Sequence, residues 1–238
     1  MRRRIYILTI AASFCLAACG QSHAGENKQP VRQTEVSAET SVETKESQTP
    51  AATAETKILI AYFTWADNTA LTDQEIDMDA VTSASLVSPG NTEILAEWIQ
   101  QEAGGDLFSI TVTEPYPADY DECLDRAALE NAENVRPELS SHVEDMEAYD
   151  TVFLGFPNWY YSLPMPVFSF LEEYDFSGKT VIPFCAHGTG GLARTIQDLK
   201  AALPESAVVA EPFDAERSEI AGSQPQLKEW IEELGYAG

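Results

Sequence analysis

Three uninterrupted apolar runs, each followed by a helical pattern, constrain the fold of this chain more than any other feature. The runs are KILIAYF at 57–63, DTVFLGF at 150–156 and KTVIPFC at 179–185. A strand that is covered by helices on both faces is typically apolar throughout, because neither face meets water. The three runs therefore predict buried strands of a parallel sheet that lies between two layers of helices.

Two weaker runs and five helical patterns complete the predicted fold. DLFSITV at 106–112 alternates apolar and polar residues, and AVVAEPF at 207–213 carries Pro212, so both are typical of edge strands. The first helical pattern begins at Asn91. The other four cover 119–133, 164–174, 191–203 and 225–234. Two edges around three buried strands favour an α/β fold, a three-layer α/β/α sandwich with a five-stranded parallel sheet in the order 2-1-3-4-5. Pro183 does not fit a strand predicted to be internal, where it either costs a ladder hydrogen bond or marks a bulge.

The first 18 residues have the composition of a signal peptide. Three arginines at 2–4 precede an apolar stretch at 5–16 that is too short to span a bilayer, and LAAC ends at Cys19. This resembles the lipobox of bacterial lipoproteins, with an ordinary secretory signal as the alternative. We expect cleavage before Cys19, lipidation of Cys19, and a lipid-anchored, extracytoplasmic location in the bacterial cell envelope.

The segment that follows predicts the boundary of the folded domain. Residues 19–56 contain no aromatic side chain and are rich in Ser, Thr, Glu and Gln. Such a segment cannot bury enough apolar surface to offset its ordering entropy, so we expect a disordered tether. Residues 57–238 are then the folded domain.

Charge and cysteine spacing exclude two kinds of ligand. The 39 acidic and 14 basic residues give a net charge of −25, which repels nucleic acid and permits a basic protein partner. Cys123 and Cys185 lack metal-ligand spacing, so we expect no metal site. A disulfide between them is permitted outside the cytoplasm but is not favoured, because one is predicted in a helix and the other at a buried strand end.

A single phosphate-binding loop is predicted to be split in two. The dipeptide Asn-Thr occurs in AYFTWADNT at 61–69 and again in SPGNTEILAEWIQ at 88–100, but only the second opens an amphipathic helix. We infer an insertion at about 66–87, with Thr64 and Trp65 on one side of the loop and 88–92 on the other. A helix start beside a glycine suits a phosphate, although Ser88 or Asn91 could simply cap the helix.

Two further loops follow the predicted third and fourth strands. PNWYYSLP at 157–164 places Trp159, Tyr160 and Tyr161 where a strand ends, which suits stacking on a planar ring system or packing against the tether or insertion. AHGTGGLA at 186–193 has three glycines that let backbone pass close to a flat ligand. His187 is either structural or near the edge of that ligand. Neither a P-loop nor a nucleophile-elbow motif is present.

These loops, in this order, resemble the flavodoxin family, in particular the flavodoxin-like proteins of bacterial envelopes. The resemblance covers about residues 57–238 and is carried by ILIAYFTW, SPGNTEILA, DTVFLGFPNWYYSLPMPVFSFLE and FCAHGTGGLA. It implies a flavodoxin-like sheet and noncovalent FMN. Many members have an uninterrupted S/T-x-T-G-x-T phosphate loop, whereas this chain splits that loop and has Pro89 inside it.

The resemblance also implies which residues contact FMN. The phosphate would be held by the split loop: Thr64, Trp65, Ser88, Gly90, Asn91 and Thr92. The isoalloxazine ring would be flanked by the aromatic loop: Pro157, Asn158, Trp159, Tyr160 and Tyr161. Its other edge would be lined by the glycine loop: His187, Gly188, Thr189, Gly190 and Gly191. Arg194 is the nearest candidate cation, and no residue is assigned a catalytic role.

We expect an FMN-binding electron carrier tethered to the cell envelope, with redox partner proteins or small electron acceptors as its partners. One alternative is an FMN-dependent NAD(P)H:quinone-type oxidoreductase, since the same fold hosts such enzymes. Another is a non-redox ligand-binding lipoprotein on the same fold. Bleaching of the flavin by NADPH separates the first two possibilities, and a colourless protein favours the third.

Overall fold

The computed structural model describes residues 57–69, 86, 88–188 and 190–238. The predicted signal peptide, the tether with Cys19 and most of the predicted insertion therefore lie outside the described residues. The strands are β1 (Ile58–Tyr62), β2 (Asp106–Ser109), β3 (Thr151–Pro157), β4 (Thr180–His187), β5 (Val208–Val209) and β6 (Phe213–Glu216). The helices are α1 (Asn91–Ala103), α2 (Tyr120–Glu133), α3 (Met165–Glu173), α4 (Thr195–Ala202) and α5 (Gln224–Leu234). No helix in this part of the chain is long and apolar enough to cross a membrane.

The sheet is parallel, and its main path runs β2-β1-β3-β4-β5. In its centre, β1 pairs with β2, where Leu59 lies opposite Asp106, and with β3, where Ile58 lies opposite Thr151. Helices α1 and α5 cover one face of the sheet, whereas α2, α3 and α4 cover the other. The predicted three-layer sandwich with the strand order 2-1-3-4-5 is confirmed.

The continuous apolar runs are explained by two hydrophobic cores, one on each side of the sheet. In β1, Ile58 and Ile60 face the core under α1 and α5, whereas Leu59 and Ala61 face the core under α2, α3 and α4. All four are buried. Alternate side chains of one strand thus contribute to different cores, so no position along the strand meets water.

The fifth position of the sheet is shared by β5 and β6, which corrects the single strand predicted at 207–213. β5 pairs with β4 at Thr180 and Val181, and β6 resumes the pairing at Phe184. Three edge residues, 210–212, therefore lie opposite two residues of β4. The edge strand is interrupted by one extra residue, as in a bulge.

This interruption explains how Pro183 fits inside an internal strand. The carbonyls of Lys179, Val181 and His187 accept hydrogen bonds from the edge side, from Val208, Ala210 and Arg217 at 2.9, 3.0 and 2.8 Å. Alternate residues of a strand direct their backbone groups to the same neighbour, so the nitrogen of Pro183 also faces the edge. It faces the gap between β5 and β6, where no ladder hydrogen bond is lost.

The first Asn-Thr pair, Asn68-Thr69, has a structural role at the carboxyl end of β1. Asn68 is buried, and its side-chain nitrogen donates to the carbonyls of Thr64 at 2.8 Å and Ile110 at 3.0 Å. Its side-chain oxygen accepts from the Val112 N–H at 2.9 Å. Asn68 thereby links the end of β1 to the segment that follows β2, and this dipeptide does not start a helix.

Candidate functional site

One cleft of about 360 Å³ opens at the carboxyl ends of β1, β3 and β4. Its volume lies within the usual range of small-molecule sites. Twelve of the sixteen residues predicted to bind the cofactor line it: Thr64, Trp65, Asn91, Thr92, Pro157, Asn158, Trp159, Tyr160, Tyr161, His187, Gly188 and Gly190. The structure therefore brings the three predicted loops together at one site.

Three of the other four predicted site residues lie elsewhere. Ser88 is exposed and directs its hydroxyl to Glu93 at 3.4 Å. Gly90 packs behind the cleft wall against Thr64. Gly191 accepts a hydrogen bond from the Asn158 side-chain amide at the back of the glycine loop. Thr189 lies outside the described residues.

The two halves of the split loop meet at Gly90. A Cβ atom on this residue would overlap the hydroxyl oxygen of Thr64, so a glycine is required for the start of α1 to reach the end of β1. Thr92 approaches β3 in a similar way, because a Cβ atom on Gly155 would touch the methyl group of Thr92. Close packing at two glycines thus places the start of α1 against both strands.

The amino terminus of α1 is oriented toward the cleft. The first helical hydrogen bond runs from the Ile94 N–H to the Gly90 carbonyl at 2.9 Å, so the N–H groups of the first turn point out of the helix. Glu93 accepts from the Gly90 N–H at 3.0 Å, and partial burial raises the pKa of Glu93. The helix start, with its positive dipole end, suits a phosphate group.

Trp65 contributes an apolar wall and no hydrogen bond to the cleft. The side chain is 2% exposed, and its indole N–H donates to the Pro117 carbonyl at 3.1 Å. The N–H is therefore engaged within the protein. Of the two loop residues after β1, only Thr64 has a side-chain hydroxyl.

The aromatic loop is a tight hairpin turn with an unfavourable backbone. Trp159 and Ser162 exchange two backbone hydrogen bonds of 3.1 and 3.0 Å. Between them, Tyr160 and Tyr161 both have positive φ, 50° and 65°, as in a type I′ turn. This conformation suits Asn and Gly and costs about 1–2 kcal/mol for each bulky residue. Two tyrosines held in this way indicate a functional constraint.

Trp159 is fixed from below by a cluster of rings. Its indole packs edge-to-face against Phe63 at 5.4 Å and Tyr116 at 5.3 Å between ring centroids. The Tyr116 hydroxyl donates to Glu130 at 2.6 Å, and burial, followed by Glu130, raises the pKa of Tyr116. The Arg126 guanidinium lies 4.1 Å from the Tyr116 ring. The rings therefore support Trp159 from inside the core.

The glycine loop after β4 forms the opposite wall. The Tyr161 ring lies 3.5 Å from the position of a Cβ atom on Gly190, an ordinary van der Waals distance, so the ring lies beside this wall. His187 directs one ring nitrogen to Asp214 at 2.8 Å and the other to the Gly188 carbonyl at 2.6 Å. The histidine is thus held in one orientation, and the glycines leave space for a flat ligand.

Six lining residues were not predicted. One face of α2 contributes four of them at helical spacing, and the others follow or end strands: Tyr120, Cys123, Leu124, Ala127, Ala186 and Arg217. The spacing i, i+3, i+4, i+7 on α2 marks an inward helix face in the sequence, but it is equally typical of a core face. Burial raises the pKa of Cys123 to about 12, so this thiol is protonated at neutral pH.

The cation at the cleft is Arg217, whereas the sequence suggested Arg194. The Arg194 guanidinium is mostly exposed, lies 3.7 Å from Asp198 and does not line the cleft. Cys123 and Cys185 are both free thiols. Within the described ranges, no group of three His, Cys, Asp or Glu side chains is placed to hold a metal ion.

Sequence comparison relates the chain to flavodoxins. A family model described as Flavodoxin matches residues 80–234, more than half of the 238 residues. Flavodoxin 1 of Escherichia coli (strain K12) is 33% identical over 99 residues, which cover 40% of this chain and 42% of that protein. The chain thus matches less than half the length of this relative.

Two crystal structures are similar over nearly their whole length. A candidate flavoprotein from Bacteroides eggerthii DSM 20697 is 26% identical with a TM-score of 0.57, covering 75% of this chain and 98% of that one. One from Bacteroides uniformis ATCC 8492 is 25% identical with a TM-score of 0.58, covering 74% and 98%. The family match supports FMN as the cofactor. The chain belongs to the flavodoxin family.

Proposed function

We propose that this protein is an FMN-dependent electron carrier tethered by a lipid to a bacterial cell envelope. The observation that carries the proposal is the meeting of three loops in one cleft. A helix start, an aromatic hairpin and a glycine loop all lie at the carboxyl ends of neighbouring strands. These are the groups that a phosphate and a flat, conjugated ring require.

The residues of the cleft divide between the two parts of FMN. Thr64, Asn91 and Thr92 at the start of α1 would hold the phosphate through hydroxyl and backbone N–H groups. Trp159 and Tyr161 would flank the ring, with the backbone of Gly188 and Gly190 along its edge. When bound, FMN supplies the electron-transfer chemistry, and the chain binds, orients and shields it.

Two features favour an electron carrier over an enzyme with a second bound substrate. The cleft volume of about 360 Å³ is near the lower end of the range for small-molecule sites, which leaves little room for a nicotinamide beside FMN. Tyr161 at the rim is 66% exposed. A ring bound beneath it would be reached from solvent by redox partner proteins or small electron acceptors.

The carrier and the oxidoreductase are separated by reduction kinetics. The full chain is loaded with FMN, made anaerobic and mixed with NADPH while the flavin absorbance is followed. We expect bleaching over many minutes with NADPH, rapid bleaching with dithionite, and prompt reoxidation by a one-electron acceptor protein. Complete bleaching by NADPH within seconds contradicts the carrier role and supports the oxidoreductase.

The envelope location rests on the sequence around Cys19. The proposed lipidation is tested by growing cells that express the full chain with radiolabelled palmitate. We expect label in the protein and recovery in the membrane fraction. A Cys19→Ser variant, with FMN binding unchanged, should lose both, whereas a labelled Cys19→Ser protein contradicts lipidation at this residue.

A further inference from the structure

The charge of the cleft differs in sign from that of the whole chain. The chain has 39 acidic and 14 basic residues, yet no Asp or Glu is among the described residues that line the cleft. Two of those lining residues have basic side chains, His187 and Arg217. The cleft is therefore a basic opening in an acidic protein, which suits an anionic ligand.

Arg217 lies on the glycine-loop wall. Its backbone N–H donates to the His187 carbonyl at 2.8 Å, which fixes the residue at the end of β4. Its guanidinium reaches over Gly188, where Nη1 is 2.9 Å from the position of a Cβ atom. The missing side chain of Gly188 thus makes room for the guanidinium at the cleft.

This position is remote from the start of α1. The start of α1 meets the end of β1, and Arg217 meets the end of β4, with β3 between them. Two strand spacings amount to roughly 10 Å. The same wall carries Gly190, beside which the Tyr161 ring lies, so Arg217 belongs to the part of the cleft assigned above to the flavin ring.

The nearest carboxylate partner of this wall lies outside the lining of the cleft. His187 is paired with Asp214, whose carboxylate binds the imidazole at 2.8 Å. Asp214 does not line the cleft, whereas Arg217 does. A ligand at the ring end would therefore meet the guanidinium rather than the carboxylate.

We propose that Arg217 stabilises the reduced flavin over the oxidised flavin, and thereby raises the reduction potential of the bound cofactor. This inference rests on the proposed function. The reaction FMN + 2e⁻ + H⁺ → FMNH⁻ adds one negative charge to the ring, whereas the charge of the phosphate is unchanged. A cation at the ring therefore binds the two redox forms unequally, whereas a cation at the phosphate binds them equally.

The test is an anaerobic dithionite titration of the full-chain protein loaded with FMN. It compares the wild type with Arg217→Gln, Arg217→Lys and Arg194→Gln, and the dissociation constant of oxidised FMN is measured for each. Arg217 is exposed, so its replacement leaves the fold intact. Arg194→Gln is the matched control, because its side chain does not line the cleft.

We expect Arg217→Gln to weaken binding of reduced FMN about tenfold more than binding of oxidised FMN, which lowers the two-electron midpoint potential by about 30 mV. Arg217→Lys should keep most of the wild-type potential, and Arg194→Gln all of it. Equal weakening of both forms, with an unchanged potential, overturns the inference and assigns Arg217 to a fixed charge such as the phosphate. Failure of the wild type to bind FMN overturns the proposed function itself.

Discussion

The side of the cleft formed by β1 and α1 is buried and closely packed, whereas the hairpin side is exposed and strained. On the α1 side, defined by Thr64, Asn68 and 90–92, Thr64 and Asn68 are almost fully buried and Gly90 fits tightly against Thr64. On the hairpin side, defined by Tyr160 and Tyr161, both residues have positive φ and Tyr161 is 66% exposed.

The two sides of the cleft are maintained for different reasons. Residues of the α1 side bind one another and stabilise the fold, with or without a ligand. Tyr161 leaves 66% of its surface exposed and still adopts an unfavourable backbone, so the fold alone does not account for it. Substitutions should therefore lower stability on the α1 side, whereas replacing Tyr161 by glycine should raise it.

The largest effect is expected from Asn68→Ala. It removes three buried hydrogen bonds and leaves the carbonyls of Thr64 and Ile110 and the N–H of Val112 without this partner. We expect a loss of about 3 kcal/mol in the free energy of unfolding, measured with urea on the protein without FMN. Asn91→Ala, which alters the second Asn-Thr pair, should cost under ~1 kcal/mol. Equal losses of unfolding free energy at Asn68 and Asn91 would contradict a structural role that is specific to the first Asn-Thr pair.

The next largest effect is expected from Gly90→Ala. The new methyl group overlaps the Thr64 hydroxyl, so the start of α1 must shift away from β1. We expect a loss of about 2 kcal/mol in unfolding free energy and at least tenfold weaker FMN binding.

The same overlap predicts a rescue and a control for Gly90→Ala. Adding Thr64→Ala should restore part of the lost stability, because the hydroxyl is removed. Gly222→Ala is the matched control, since nothing lies within 4 Å of its Cβ position. If the stability losses of Gly90→Ala and Thr64→Ala simply add in the double variant, the two halves of the loop are not in contact.

Tyr161→Gly should have the opposite sign. Glycine adopts positive φ without strain, and the exposed tyrosine ring contributes little burial to the fold. We expect a gain of about 1 kcal/mol in unfolding free energy, together with weaker FMN binding in a fluorescence titration. Asn134→Gly, which also has positive φ but ends α2, should leave FMN binding unchanged. A Tyr161→Gly protein that is less stable than wild type would contradict the strain on the hairpin side.

The smallest effect is expected at alkaline pH, through Tyr62 at the end of β1. Burial, followed by Asp67, raises its pKa to about 12 from 10.0. The folded state binds the Tyr62 proton more tightly than the unfolded state does. The stabilisation that this provides is therefore fully present below pH 10 and is lost as the pH rises through 12. When the pH is raised from 8 to 11, the midpoint of urea unfolding should therefore fall less for Tyr62→Phe than for the wild type.

The fold could be predicted because its signals are local. A strand buried on both faces is apolar along its whole length, so 57–63, 150–156 and 179–185 identify the centre of the sheet directly. The interrupted edge was not predicted. It depends on Pro183 facing 210–212, a pairing between segments that are distant in the sequence.

The three loops of the site were predicted from the sequence. The residues whose place depends on tertiary contacts were missed. Each loop follows a predicted strand, so their meeting at one end follows from the parallel sheet. Asn68 was noticed only as half of a repeated dipeptide, because its partners at 110 and 112 belong to another segment. Arg217 was missed because β6, which places it beside Gly188, was not predicted as a separate strand.

The most direct test of the central claim is a fluorescence titration of the full chain with FMN and, separately, with riboflavin, which lacks the phosphate. We expect one FMN per chain, strong quenching by the aromatic hairpin, and riboflavin binding weaker by at least tenfold. Gly90→Ala should reduce that difference, because it displaces the start of α1. Absence of FMN binding, or equal affinity for FMN and riboflavin, would contradict a cleft that holds a phosphate at one end and a flavin ring at the other.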